Sequence, residues 1–377
     1  MTRPAPAAPA LDRVLEHLQA LVELPGAPGH EAPVAAYVRA ALEPHADVRT
    51  DVHGSVIANV PPDAAEAPRL LWAAHLDEVA LVVRAIEPNG FLRVAALGSL
   101  GAAAAAGRVV RVGETFGVVG ARAGHYQTDR DAPTEVADLF VDVGAADPGE
   151  VAAAGIVVGT PVTLAEPLRR FGRDGSWLVG HALDDRIGVA LLLTLVERLA
   201  GAKVPWRWFA AFPVQEENGL RGASALTSAL TPDLALAVDT IACGDTPDLA
   251  RVQDSPMRLG AGPVLPVVTG PRGTGHVVPA PVLRHLEGVA AAVGVNVQRA
   301  VLTRGDNDAT AMAWAAPGTL AASISIPRRY AHTGVEVART ADIAVTYALL
   351  EALVLTPWTG AAPAGAPHIS PRTRRNT

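Results

Sequence analysis

Residues 206–217, WRWFAAFPVQEE, run from a largely apolar segment straight into two adjacent carboxylates, Glu216 and Glu217. Three further stretches end in the same manner: LLWAAHLD at 70–77, LALAVD at 234–239 and ISIPRRYAH at 324–332. Apolar runs this short and continuous predict strands buried on both faces, as in a parallel sheet covered by helices. Helical periods lie between and after them, from Asp185 to about Leu199, in GLRGASAL at 219–226, in PVLRHLEGVAAAV at 281–293 and from about Thr340 to Leu355. The alternation predicts an α/β fold, a mixed central sheet with helices on both faces. In open sheets of that class a ligand sits beyond the carboxyl ends of the strands, so His75, Asp77, Glu216, Glu217, Asp239 and His332 are expected to converge there.

Working outward, residues 11–23 (LDRVLEHLQALVE) and 32–42 carry apolar residues at helical spacing and predict two amphipathic helices on either side of the turn PGAPGHE at 25–31. From about 80 to 166 the character changes. Short β-branched runs (ALVVRAI, RVVRVG, TFGVVG, LFVDVG, TPVTL) separated by glycine, proline and aspartate read as a small all-β unit inserted into the α/β domain. The expected organisation is therefore a catalytic domain formed by 1–79 and 167–357, an inserted β domain at 80–166, and a tail at 358–377 of disordered composition. The alanine-rich stretch 102–107 reads as loop.

Composition narrows the function. The formal charge of −7 is spread along the chain, with no basic run outside Arg372, Arg374 and Arg375, which argues against a nucleic-acid partner. Cys243 is the only cysteine, so neither an internal disulfide nor a cysteine metal cluster is possible, and a cytoplasmic location is expected. No stretch reaches the ~20 apolar residues that span a bilayer, and the N-terminus lacks a signal-peptide core. Lys203, the only lysine, lies outside any P-loop pattern, and no GxSxG elbow occurs.

Metal-assisted hydrolysis remains. His75 and Asp77, two residues apart at a strand end, share one face, which lets Asp77 support the imidazole. Asp184 and Asp185 precede a buried helix; one of them suffices as a cap, leaving the other for a ligand. Burying both Glu216 and Glu217 without a cation would be costly, and adjacent side chains diverge, so Glu217 can bind metal while Glu216 acts as general base. Asp184, Asp239 and Glu217 bring three negative charges, which two divalent ions and a hydroxide balance.

The motifs AAHLDEVALVV, GHALDDRIGV, PVQEENGLRGA, LAVDT and SIPRRYAHTGVE, in this order, strongly resemble the M42 family of metallo-aminopeptidases, from the PGAPGHE turn to the last helix. The resemblance implies a zinc-exopeptidase-like fold and two zinc or cobalt ions, with manganese also suited to these ligands. It makes His75 and Asp239 ligands of one ion, Glu217 and His332 ligands of the other, and Asp184 the bridge, joined to Asp185 by a cis peptide. It further implies that the inserted barrel serves dimerisation and that dimers assemble into dodecamers that admit peptides. RGDNDAT at 304–310 departs from the family's usual segment, and there Asp308 matches the aspartate near the substrate amine. His125 lies in the insertion, from which a loop of a neighbouring subunit could reach an active site. Rival expectations are a deacylase or carboxypeptidase on the same chemistry, and a non-catalytic shell protein with structural ions. A glucanase ranks last, because two carboxylates would suffice for it.

Overall fold

The computed structural model describes residues 8–60, 67–122, 134–250 and 253–358. After α1 (Ala8–Val22) and α2 (Ala32–Leu42), the chain lays down β1 (Asp47–Thr50), β2 (Val56–Val60) and β3 (Arg69–Ala73). Six strands then form a closed barrel: β4 (Ala80–Ile86), β5 (Leu92–Leu97), β6 (Val109–Val112), β7 (Thr115–Gly120), β8 (Phe140–Asp142) and β9 (Pro161–Leu164), in the order β4-β5-β8-β7-β6-β9. Helices α3 (Ala102–Ala105) and α4 (Pro148–Ala153) lie within that segment. The return leg runs through β10 (Arg169–Phe171), β11 (Trp177–Gly180), α5 (Leu183–Leu199), β12 (Arg207–Phe212), α6 (Arg221–Leu230) and β13 (Leu234–Ala242). It finishes with β14 (Val264–Val268), α7 (Ala280–Ala292), β15 (Gln298–Val301), α8 (Asp308–Trp314), β16 (Leu320–Arg328), β17 (Glu336–Arg339) and α9 (Thr340–Leu355).

The central sheet has the order β1-β2-β12-β3-β13-β16-β14-β15 and is mixed. Its middle strands β12, β3, β13 and β16 are mutually parallel; β1 and β2 pair antiparallel with their neighbours, and β14 runs antiparallel to β16 but parallel to β15. The four segments that end in acids or histidine therefore open onto one edge.

The alternation of side chains along these strands explains the layering. Leu70, Trp72, Trp208, Phe212, Leu234 and Leu236 face one core with α1, α5 and α9, while Ala73, Ala211, Ala235, Ala237 and Ala321 face the other, against α6 and α8. Successive strand residues point to opposite faces. Large side chains thus fill the layer around α5, while the face toward the short helices α6 and α8 is mostly alanine, with Leu71 and Phe209 among them. Helix α5 is buried on nearly all sides, from Leu183 to Val196, which suits its almost uniformly apolar sequence.

Two sequence expectations need correction. Residues 102–105 are not loop: they form a helical turn whose Ala102 and Ala105 are buried against the barrel interior. Side chains too small to show amphipathic periodicity hid it. The sequence reading also passed over the three-stranded sheet β10-β11-β17, whose strands are three or four residues long. The tail from 359 onward and His125 lie outside the described residues.

Candidate metal centre

Each strand end delivers its residue to one cavity of about 720 Å³, lined by His75, Ser99, Asp184, Glu216, Glu217, Asp239, Arg328 and His332 among others. His75 follows β3 by two residues, Glu216 and Glu217 follow β12, and His332 follows β16. Asp239 sits inside β13, three residues before its end. The backbone turns sharply where these loops begin: Ala182, Gln215 and His332 adopt left-handed φ values of 50°, 57° and 52°. Non-glycine residues held there cost of order 1–3 kcal/mol each and persist only where the surroundings enforce them.

The Asp184–Asp185 peptide is cis, and the two carboxylates part company. Asp185 is fully buried and accepts from the Gly188 amide at 3.0 Å, which is the capping role. Asp184 turns into the cavity. Its Oδ1 lies 3.4 Å from His75 Nε2, and its Oδ2 lies 3.2 Å from His332 Nε2. His75 Nε2 is also 3.9 Å from Asp239 Oδ1, and His332 Nε2 is 3.3 Å from Glu217 Oε1.

These spacings are informative. Four ligands about 2.0–2.1 Å from a zinc-like ion stand roughly 3.3 Å from one another. Ligating atoms of His75, Asp184 and Asp239, of Asp184, Glu217 and His332, and of His75, Glu216 and Glu217 lie within 4.8 Å of one another in each triplet. Glu217 Oε1 is buried without a hydrogen-bond partner, an arrangement that costs free energy unless a cation completes it. Oxygen and nitrogen donors of this kind fit a divalent ion.

Protonation follows the same logic. Burial, and then the nearby Glu217, Asp308 and Asp239 charges, push Glu216 well above the usual carboxylate range, against the pull of His75. Burial followed by the Asp184 charge does the same to Asp239. Burial would also raise Asp184, yet Arg328, His332 and His75 hold it well below the ordinary value. Asp308 is pushed up to about 7 by burial; its Oδ1 is buried and unpartnered.

Asp77 has a second task beside the one its spacing suggests. Its carboxylate stands 3.6 Å from His75 Nδ1, and its carbonyl lies 3.2 Å from the same nitrogen. Asp77 Oδ1 and Oδ2 accept the amides of Glu216 and Glu217 at 2.9 and 3.0 Å. The residue thus aims the paired glutamates by their backbone. The PGAPGHE turn reinforces the loop from behind: Glu31 Oε1 accepts from Gly29 N at 2.8 Å and from Gln215 N at 3.1 Å.

Several contributors escape a sequence reading. Ser99, from the loop after β5 of the barrel, places its Oγ 2.5 Å from His332 Nδ1 and orients that ring. Thr240 Oγ1 donates to Asp184 Oδ1 at 2.9 Å. Glu336 accepts the amides of Asp184 at 3.0 Å and His332 at 3.2 Å. Arg328 binds Asp184 and Glu336 from within the cavity wall. Thr240 lies inside the quoted motif LAVDT, and Arg328 and Glu336 inside SIPRRYAHTGVE, but nothing in their local pattern marks these three side chains as facing inward.

Parallel strand ends, a buried carboxylate–imidazole cluster and a spare glutamate define a hydrolase centre. The family model of the M42 glutamyl aminopeptidases matches residues 54–349. The lysyl aminopeptidase of Pyrococcus furiosus is 30% identical over 351 residues, covering 90% of this chain and 96% of the relative. Among solved structures, aminopeptidase APDkam598 from Desulfurococcus kamchatkensis superposes with a TM-score of 0.86 at 30% identity, over 92% of this chain and 96% of that one. The Pyrococcus horikoshii TET1 peptidase, described as assembling into a tetrahedron or a large octahedral shell, gives 0.80 at 27% identity, over 91% and 99%.

The chain belongs to the M42 family of aminopeptidases and is a peptide hydrolase. The family is metal-dependent and has glutamyl and lysyl members, so membership alone leaves the preferred N-terminal residue open.

Proposed function

We propose that this protein removes the N-terminal residue from peptides using two divalent ions, zinc, cobalt or manganese, held in adjoining sites. The observation that carries the reading is the pair of ligand triplets sharing Asp184. His75, Asp239 and Asp184 would hold one ion; Glu217, His332 and Asp184 would hold the other. When bound, the ions supply Lewis acidity toward the scissile carbonyl and make water nucleophilic at neutral pH.

The remaining steps belong to the chain. Glu216 is 8% exposed and lines the cavity; it forms a third group with His75 and Glu217, but the two triplets that share Asp184 do not include it. It takes a proton from the attacking water and passes it to the departing amine. Asp77 fixes the direction of that carboxylate through the backbone. Asp308 provides a buried, unpartnered oxygen for the substrate's free α-ammonium group, which would restore its ionised state by charge pairing.

The reading extends to assembly and setting: dimers formed through the barrel, larger shells like that of the TET1 peptidase, and a cytoplasmic location suited to a chain with one cysteine. The test is hydrolysis of free-amine and N-blocked aminoacyl substrates by metal-reconstituted wild type and Glu216→Gln, with bound metal counted. Cleavage confined to free-amine substrates, and a variant that keeps its ions but loses roughly 100-fold or more of turnover, is expected of a general base. Preference for blocked substrates would point to a deacylase, and an unimpaired variant would remove Glu216 from the mechanism.

A further inference from the structure

The side chain of Arg328 is only 4% exposed, yet it ends at the candidate metal centre. Its three nitrogens donate to three elements. Nε donates to Thr240 Oγ1 of β13 at 2.5 Å, Nη1 to Glu336 Oε1 of β17 at 2.6 Å, and Nη2 to Asp184 Oδ2 at the start of α5. A guanidinium does not deprotonate in proteins, and its planar fork is suited to such fixed pairing. The charge on Arg328 is therefore permanent and its position is set by the core.

The two oxygens of Asp184 have unequal surroundings. Oδ1 meets a neutral hydroxyl, Thr240, and His75. Oδ2 meets the guanidinium and His332 Nε2. A carboxylate oxygen offers about two acceptor directions. At Oδ2 one of them is already occupied by a cation, while Oδ1 keeps its anionic character for an ion shared with His75 and Asp239. Glu336 balances the charge of Arg328 in sum, so the asymmetry arises from competition for Oδ2 and from repulsion between like charges at short range.

We propose that Arg328 is a resident cation that makes the two metal sites unequal. The site formed by His75, Asp184 and Asp239 fills first, and the site formed by Asp184, Glu217 and His332 binds its ion more weakly. This rests on the two-ion reading above. Its consequence is a protein that holds one ion firmly and takes up the second according to supply.

The experiment is titration of the metal-free, full-length protein with cobalt(II) against a competing chromophoric chelator, following the visible cobalt absorption as well as the bound count. Wild type should show two steps separated by about tenfold or more, and His332→Ala should lack the weaker one. Arg328→Met, and Arg328→Met combined with Glu336→Gln so that no buried carboxylate is left unpaired, should tighten the weaker step by about tenfold or more, whereas an arginine that merely supported its ligand would on removal weaken it by about 10- to 100-fold. Circular dichroism and thermal melting establish that each variant is folded. Two equal steps in wild type, or a second step unchanged or weakened in both folded variants, would overturn the role of Arg328 while leaving the two-ion centre intact. Failure of wild type to bind cobalt at all would remove the metal centre and this proposal together.

Discussion

At the scale of the residue, the same burial that gathers ligands also silences chemistry elsewhere. Cys243 lines the cavity wall but is 5% exposed, and burial, followed by the charges of Asp245 and Asp342, pushes its thiol well above the usual value. The thiolate is the reactive form. Iodoacetamide at pH 8 should therefore leave the native protein unlabelled and alkylate it only in denaturant, as mass spectrometry would record; rapid native labelling would contradict the burial. Gly26 supplies a second case. A Cβ there would stand 2.5 Å from Arg186 Nη2 and 3.1 Å from the carbonyl of Leu76, the residue after His75. Overpacking typically costs about 1–3 kcal/mol. Gly26→Ala should lower stability to urea by that amount, and an unchanged midpoint would show that Arg186 yields freely.

Elements bring a different kind of evidence, because helices α1, α2 and α5 meet around ionisable groups. His17 is 1% exposed, with Tyr37 Oη 2.9 Å from Nδ1 and Glu197 Oε1 3.0 Å from Nε2. Burial lowers its folded-state pKa despite the attraction of Glu197. The sign follows from proton counts: below about 6.5 the unfolded chain binds a proton that the folded one refuses, so stability falls as pH drops through that value. His17→Gln should flatten the loss of melting temperature between pH 7.5 and 5.5 relative to wild type; parallel curves would mean that His17 is already charged in the fold. On α5, Leu191 is fully buried in the main core. Leu191→Ala should cost about 2–5 kcal/mol in urea unfolding, the range for cavity-forming changes.

The whole molecule adds the barrel, and with it an exposed apolar face. On the β6–β7 hairpin Val109 pairs with Val118 and Arg111 with Phe116, while Val109, Phe116 and Val118 are 55%, 55% and 47% exposed. Contiguous apolar surface of this kind marks contact regions. If the barrel joins two copies here, Phe116→Asp should shift the sedimentation profile toward smaller species without altering the fold, and an unmoved profile would place the interface elsewhere. The barrel also reaches the catalytic domain, since Ser99 meets His332 and Gly98, at φ +78°, leaves only 3.3 Å between its missing Cβ and Glu217.

Much of this was legible in one dimension. Buried parallel strands need continuous apolar runs, and a charge placed directly after such a run has few places to go except the sheet edge, so His75, Glu216, Glu217, Asp239 and His332 announced themselves together with their neighbour Asp184. The β-branched, glycine-punctuated strands of the barrel were equally visible. What only the tertiary structure decided was pairing across long separations: which oxygen of Asp184 meets Arg328, that Asp77 also accepts the backbone amides of the glutamates, that Ser99 crosses 233 residues to His332, and that Glu336 ties two site amides together. The physical reason is that hydrophobic periodicity is a local signal read along the chain, whereas the partner that satisfies a buried charge is set by packing geometry. Any segment the fold brings within hydrogen-bond reach can supply it.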